Sequence, residues 1–286
     1  MKNSVEIDFK NEFLKSLKKV NIKNIKNLYV TSNLSAIGRI KLDKNKKLKL
    51  IFESMVETID KNYSIFSPAA SMNLCNTDII FDPNKTPSFK MGPFSEFLRN
   101  KKGSIRSLHP YWSICCNGKN KNLLKTTSRH AYGVGSPWSS MLNLDTYQLN
   151  IGINPERAVT LIHHIETIVG VPYRYNKEFT QPINKKNKIK IEKFYLSTRF
   201  KNLDIQKRKK LNEHFFKEMK KKKKLNYYKT KFGIEIWSFR MKDFYEVAVS
   251  FFIKDIYNYL EKPIDIKLNI KNMITYLMIL SKNYLI

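Results

Sequence analysis

Between residues 5 and 153 the chain alternates stretches whose apolar residues recur at helical spacing with short apolar runs bounded by turn residues, and this alternation restricts the fold more than any other feature. Val5 to Val20 reads as a helix, Asn27 to Val30 as a short strand entering the loop Thr31 to Ser35, and Leu48 to Asp60 as a second helix. Tyr63 to Ser67 follows as a strand. Phe81 to Gly92 is turn-rich, Ser95 to Arg99 starts a short helix, and Ser113 to Asn117 and Tyr147 to Ile153 suit buried strands. Elements in this order pack as layers, so the expected class is α/β: a layered α/β/α arrangement with a mixed central sheet and a smaller C-terminal α+β portion. The division falls near residue 180, with a core over 1–180 and a portion over 181–286 packed on it. After Tyr175, lysine clusters at Lys185 to Lys193 and Lys220 to Lys224 surround a strand (Phe194 to Thr198) and a helix (Ile205 to Phe216). The lysine runs read as solvated loops or helix ends.

A chain of 286 residues, 42% hydrophobic and 13% aromatic, has ample material for a packed core. Its N-terminus mixes charged and apolar residues in helical fashion and does not read as an export signal. The apolar run Met273 to Leu280 falls far short of the roughly 20 residues of a spanning helix, so a soluble protein without a membrane span is expected. Cys75, Cys115 and Cys116 are odd in number, and the adjacent pair has neither metal-ligand spacing nor an easy disulfide geometry. Reduced thiols in a cytoplasm and no bound metal are the expectation.

The formal net charge of +29 invites a nucleic-acid partner. Only nine of the 53 basic residues are arginines, however, and no finger, ribonucleoprotein or zipper pattern is present. Nucleic-acid binding is therefore the runner-up from another class, and no nucleic-acid partner is expected. A positive field still concentrates anionic ligands.

Residues 154 to 170, NPERAVTLIHHIETIVG, read as one amphipathic helix, with Asn154 as cap, Pro155 in the first turn and Gly170 as the left-handed stop. Ala158, Leu161, Ile162, Ile165, Ile168 and Val169 gather on a core-facing stripe, and Thr160, His163, His164, Glu166 and Thr167 fall outside it. Glu166 lies three residues beyond His163 and shares its flank, whereas His164 points elsewhere. His163 is thus the histidine a local carboxylate can orient. An imidazole titrating near ~6.5, held at one nitrogen, leaves the other as a base.

Two earlier segments complete the picture. LYVTSNLSAIG, from Leu28 to Gly38, places hydroxyl and amide residues directly after a strand, where they can hold phosphates or carbonyls. RSLHPYWSICCNG, from Arg106 to Gly118, and YGVGSP, from Tyr132 to Pro137, add an arginine, hydroxyls, His109 and a glycine-bearing turn. His109, lying before a proline, can equally brace a turn.

These segments, with FDPNKTPSFKMGPFSEFLR, VTLIHHIE and VPYRYNKEF, resemble the aminoglycoside 3-N-acetyltransferases and their relatives, from Leu28 to about Phe179. The resemblance implies acetyl transfer from acetyl-CoA to an amine on a sugar, with the T-x-x-H-x-x-E motif at Thr160, His163 and Glu166. It assigns His163 and Glu166 to catalysis, Ser32, Leu34, Arg106, Ser107 and Ser113 to the cofactor, and Asp82, His109 and Thr160 to the substrate. On this reading residues 1–180 are the acetyl-CoA-binding and catalytic core. Two departures bear on the acceptor: Thr31 stands where the family often has His, and Arg157 where it often has an acidic residue. An arginine there, in a chain of +29, repels polycations. The expected acceptor is therefore an anionic or nucleotide-linked amino sugar for surface polysaccharide, with an aminoglycoside, and hence antibiotic resistance, as the alternative. A covalent acetyl group on Cys115 or Cys116 is the minor route, since cysteine in an apolar strand is more often buried and inert. The aromatic-rich segment Phe232 to Phe252 can pack within the chain or against a copy of it in a homo-oligomer.

Overall fold

The computed structural model describes residues 2–35, 40–157, 159–185, 187–199 and 213–260. The part of the expected helix Ile205 to Phe216 before residue 213, the run Met273 to Leu280, Ala158, and Ile37 and Gly38 of the first loop lie outside the described residues.

The alternation in the sequence becomes helix α1 (Lys2–Lys19), strand β1 (Asn27–Ser32), α2 (Lys44–Thr58), β2 (Ser64–Pro68), α3 (Pro93–Asn100), the short β3 (Ile105–Arg106) and β4 (Ile114–Gly118). Then come α4 (Pro137–Asn143), β5 (Tyr147–Ile151), α5 (Leu161–Val169), a long hairpin of β6 (Arg174–Lys185) and β7 (Lys188–Arg199), α6 (Glu213–Lys221), β8 (Asn226–Lys229), β9 (Glu235–Arg240) and α7 (Met241–Lys254). Seven strands form one sheet in the order β3-β4-β2-β1-β5-β9-β8. β1 runs parallel to both β2 and β5, and the outer pairings are antiparallel, so the sheet is mixed. The class expected from sequence is the one observed.

Alternation along β1 divides the core. Leu28 and Val30 pack with α1, α2 and α3 through Phe13, Ile51, Met55 and Phe94, while Tyr29 packs on the other face with Trp138 of α4, Ile162 and Ile165 of α5 and Phe244 of α7. Each large side chain fully buried in these layers contributes roughly 1.5–3 kcal/mol, and helices on both faces leave little of the central strands in contact with water.

The boundary near residue 180 does not separate two cores. The β6–β7 hairpin runs through it, and β9 pairs antiparallel with β5 over Tyr147–Ile151, so the later residues complete the same sheet. The segment Phe232 to Phe252 packs within the chain: Phe239, Phe244 and Phe252 are buried with Phe215 and Phe216. Among the described residues no helix is long and apolar enough to cross a membrane, and no group of three or more His, Cys, Asp or Glu could hold a metal ion.

Candidate active site

In an open sheet with parallel central strands, ligands sit outside the carboxyl ends of those strands, where connections leave in opposite directions. Here that place lies beyond β1 and β5. Asn33 N bonds to Ile151 O at 2.9 Å, holding the two exits together, and the turn after β5 leads directly into α5.

α5 is shorter than its sequence suggests. Asn154 accepts the backbone N–H of Glu156 through its side chain (2.8 Å), and Arg157 N bonds to Asn154 O (3.0 Å), so Asn154 caps a turn and the helix begins after Thr160. Gly170 ends it at φ 71°, as expected of a left-handed stop. The polar flank is also not solvated: Glu166 is 1% and His164 2% exposed, whereas Ile168, assigned to the core stripe, is 39% exposed. The physical reason is cover from elements distant in sequence, namely the β6–β7 hairpin and the turn before α4. His164 accepts the Gly133 N–H at Nδ1 (3.1 Å), and burial pushes its pKa down to about 4, so it is a neutral anchor for that turn.

His163 keeps the partner expected of it. Its Nδ1 lies 2.8 Å from Glu166 Oε2. A third residue, outside the T-x-x-H-x-x-E motif, joins them: Arg174 at the start of β6. Its Nε is 2.7 Å from the same carboxylate oxygen, and its Nη2 is 2.9 Å from His163 Nδ1. Arg174 Nη1 donates to Ser197 O of β7 at 3.1 Å, tying the arrangement to the hairpin. The arginine side chain is 8% exposed and that of His163 20%, so the histidine is the member of the trio that reaches toward solvent. Tyr132 meets the imidazole edge-on at a centroid distance of 5.7 Å. Burial first, and the neighbouring Glu166 charge second, push the Tyr173 phenol far up, so that hydroxyl stays protonated beside the carboxylate. His163 Nδ1 serves Glu166 or Arg174, one at a time: protonated, it donates to Glu166 Oε2 and leaves Nε2 free as a base, whereas deprotonated it accepts from Arg174 Nη2 and the ring proton sits on Nε2. Thr160, at the helix start, accepts the His163 backbone N–H at 3.0 Å and so lies one turn before it on the same flank. The only sequence signal for Arg174 was its place just after the helix stop, in VPYR; the long-range contact to α5 is a product of the hairpin.

The residues expected to hold acetyl-CoA divide into two groups. Ser32 and Leu34 line a cleft of about 610 Å³ beyond β1, together with Lys44, Lys47, Lys90 and Gly92. This cleft fits a cofactor: Ser32 Oγ is buried with no hydrogen-bond partner among the described residues, and a Cβ added at Gly92 would come within 3.2 Å of Ser32 O. Arg106, Ser107 and Ser113 do other work. The Arg106 guanidinium is 6% exposed and bonds to Ser113 Oγ (2.8 Å), Ser71 Oγ (2.8 Å), Thr86 O (2.5 Å) and Ala69 O, while stacked 4.7 Å from the Phe81 ring. Burial lowers its pKa to about 10. Ser113 Oγ donates to Ala69 O and Ser107 Oγ accepts the Ile114 N–H, so all three side chains take part in internal hydrogen bonds away from the cleft's lining.

His109 and Asp82 likewise take part in internal hydrogen bonds. His109 is 2% exposed, accepts the Trp112 N–H at Nδ1 (3.1 Å) and faces Tyr195 O with Nε2 (3.2 Å). Burial lowers its pKa to about 4, and it braces the turn against the hairpin. Asp82 accepts from the Asn84 and Lys85 backbone and from Asn184 Nδ2 (3.0 Å), clipping its turn to β6. Cys115 and Cys116 are fully buried; burial pushes the Cys115 thiol up to about 12 and the Cys116 thiol higher still, which leaves no thiolate for acyl transfer at neutral pH.

The layered α/β fold is shared by several solved acetyltransferases. Aminoglycoside acetyltransferase AAC(3)-Xa superposes with a TM-score of 0.73 at 15% identity, covering 88% of this chain and 94% of that one. AAC-VIa bound to sisomicin gives 0.71 at 17% identity over 84% and 96%, and AAC-IIIb in a binary complex with CoASH gives 0.71 at 16% over 89% and 98%. No curated protein sequence matches the chain. The family model for aminoglycoside 3-N-acetyltransferase matches residues 30–253. The chain belongs to that family, and by that membership it is an acyltransferase.

Proposed function

We propose that this protein transfers an acetyl group from acetyl-CoA to an amine of an amino sugar, with His163 as general base, Glu166 as the group that orients it and Thr160 on the acceptor side. The observation that carries this reading is the buried His163–Glu166–Arg174 cluster, with Nδ1 held 2.8 Å from the carboxylate. Acetyl-CoA, when bound, supplies the acetyl group as a thioester, with Ser32 and Leu34 as contacts. His163 Nε2 takes a proton from the sugar ammonium, the freed nitrogen forms the C–N bond as the C–S bond breaks, and the products are an amide, a free thiol and one proton. Holding amine and thioester together supplies much of the acceleration.

For the acceptor we favour an aminoglycoside-type amine over the anionic, nucleotide-linked sugar that the charge of +29 suggests. The family description and the sisomicin-bound relative support the first, and Arg157, the residue behind the second, is exposed on the turn before α5. A cytoplasmic location fits the free thiols of Cys75, Cys115 and Cys116. Thiol release from acetyl-CoA, measured with kanamycin-class amines and with nucleotide-linked amino sugars, tests the choice. Faster turnover with the cationic drug is expected; faster turnover with the nucleotide-linked sugar would reverse the acceptor, and no release with any amine would remove the enzyme reading.

A further inference from the structure

Arg106, the residue expected to anchor a cofactor phosphate, has its guanidinium committed to the interior, so the charge that meets phosphate must come from elsewhere. We propose that Lys44 and Lys90, together with Lys47 and the Ser32 hydroxyl, form a phosphate subsite for the nucleotide end of acetyl-CoA. The assignment rests on the acetyltransferase reading above and names the residues that would hold its donor.

Four observations carry it. First, these lysines share one concave wall: Lys44, Lys47 and Lys90 all line the 610 Å³ cleft beyond β1, a volume in the range that nucleotide-sized ligands occupy. Second, two neighbouring lysines of α2 are ion-paired, Lys46 with Glu6 and Lys49 with Glu53, whereas Lys44 and Lys90 enter no ion pair among the described residues. Lys47 is held in place by a 3.1 Å bond from Nζ to Ile40 O.

Third, neither Asp43 nor Glu96 is ion-paired with Lys44 or Lys90 among the described residues. Asp43 accepts the Asn45 and Lys46 N–H groups as the cap of α2, which lowers its pKa, and Glu96 is tied to Arg99 and Ser88, which holds its pKa near 2. Asp43 stays ionised and offsets part of the lysine charge, but three ammonium groups lining one cleft still leave a positive local field that draws in polyanions. Fourth, the Ser32 hydroxyl is buried without a partner among the described residues, on a wall where Gly92 at φ 87° brings its backbone close to Ser32 O. A hydroxyl without a protein partner keeps an unused donor beside the cleft, and a phosphate oxygen would satisfy it. Lysine binds phosphate as a point charge and needs no fork geometry, which suits two residues on separate elements, α2 and the turn before α3.

The test is the affinity of the full-length protein for CoA, by calorimetry, as a function of salt, for the wild type, Lys44→Gln/Lys90→Gln and Lys44→Arg/Lys90→Arg. The glutamine pair is expected to weaken CoA binding about tenfold to hundredfold and to flatten its salt dependence, while the arginine pair stays within about threefold of wild type. Unchanged affinity and salt slope in the glutamine pair would overturn the subsite, and so would an equal loss in both pairs, which would mark an effect of shape. A uridine diphosphate-linked amino sugar is the second arm. If it binds alongside saturating CoA and loses affinity in the glutamine pair, the lysines serve the acceptor and the assignment to CoA fails. A wild-type protein that binds no CoA at any salt would instead sink the acetyltransferase reading itself.

Discussion

Replacing Arg174 by glutamine removes a unit positive charge from between a buried carboxylate and the proposed base. Its guanidinium touches Glu166 at 2.7 Å and His163 Nδ1 at 2.9 Å. With an effective dielectric near 20, one unit charge at about 4 Å is worth about 4 kcal/mol, equivalent to about 3 pH units as an upper bound. The His163 side chain is 20% exposed and screening reduces this, so the working expectation is about 1–2 units. The direction follows from charge: without the guanidinium, Glu166 favours the imidazolium over the free base, so the base form is reached only at higher pH. The acid limb of the kcat/KM profile, measured by thiol release, should therefore rise by about 1–2 pH units, with the alkaline plateau far less affected. The protonated Tyr173, which also borders the cluster, does not change charge across this range and leaves the limb to the trio. Breaking a buried pair also costs roughly 3–5 kcal/mol of stability, so Arg174→Lys, which keeps the charge, is the companion variant and should hold the limb near wild type. A glutamine variant that loses rate at every pH without moving the limb would refute the electrostatic argument and leave Arg174 as hairpin support alone.

Acid should destabilise the protein through two histidines. His109 and His164 have folded pKa values lowered by burial to about 4, so the unfolded chain binds more protons between about 6.5 and 4; the stability they give is complete above pH 6.5 and is lost as pH falls through that window. At pH 5 each should have lost about 2 kcal/mol, read as a drop in the urea midpoint relative to pH 7 that shrinks in His109→Gln, and a midpoint flat from pH 7 to 5 would contradict it. The double variant Cys115→Ala/Cys116→Ala should keep turnover within about threefold of wild type at some cost in melting temperature, because both thiols are buried and protonated. Loss of turnover with the fold intact would restore the covalent route.

What was legible in the sequence was local. The periodicities of α1, α2 and β5 and the stop at Gly170 are written in adjacent residues, and the His163–Glu166 pair follows from helical spacing alone. What the sequence could not show depends on pairing across the chain. Glu166 is buried because β6 delivers Arg174 from beyond the helix, and His109 is buried because β7 passes over its ring. Arg106 looked like an anion anchor because arginine usually is one; only the fold reveals four acceptors already around it. Lys44, Lys47 and Lys90 lie within a surplus of basic residues and have no distinguishing pattern until α2 and the turn before α3 bring them to one cleft.

The most direct test of the site is single-turnover acetyl transfer by His163→Gln, with CoA affinity measured on the same preparation. The side chain keeps a polar end but offers no titrating nitrogen, so transfer should fall by about 10²–10⁴ while CoA still binds as in the wild type. Transfer within a few-fold of wild type would contradict the assignment of His163 as the base.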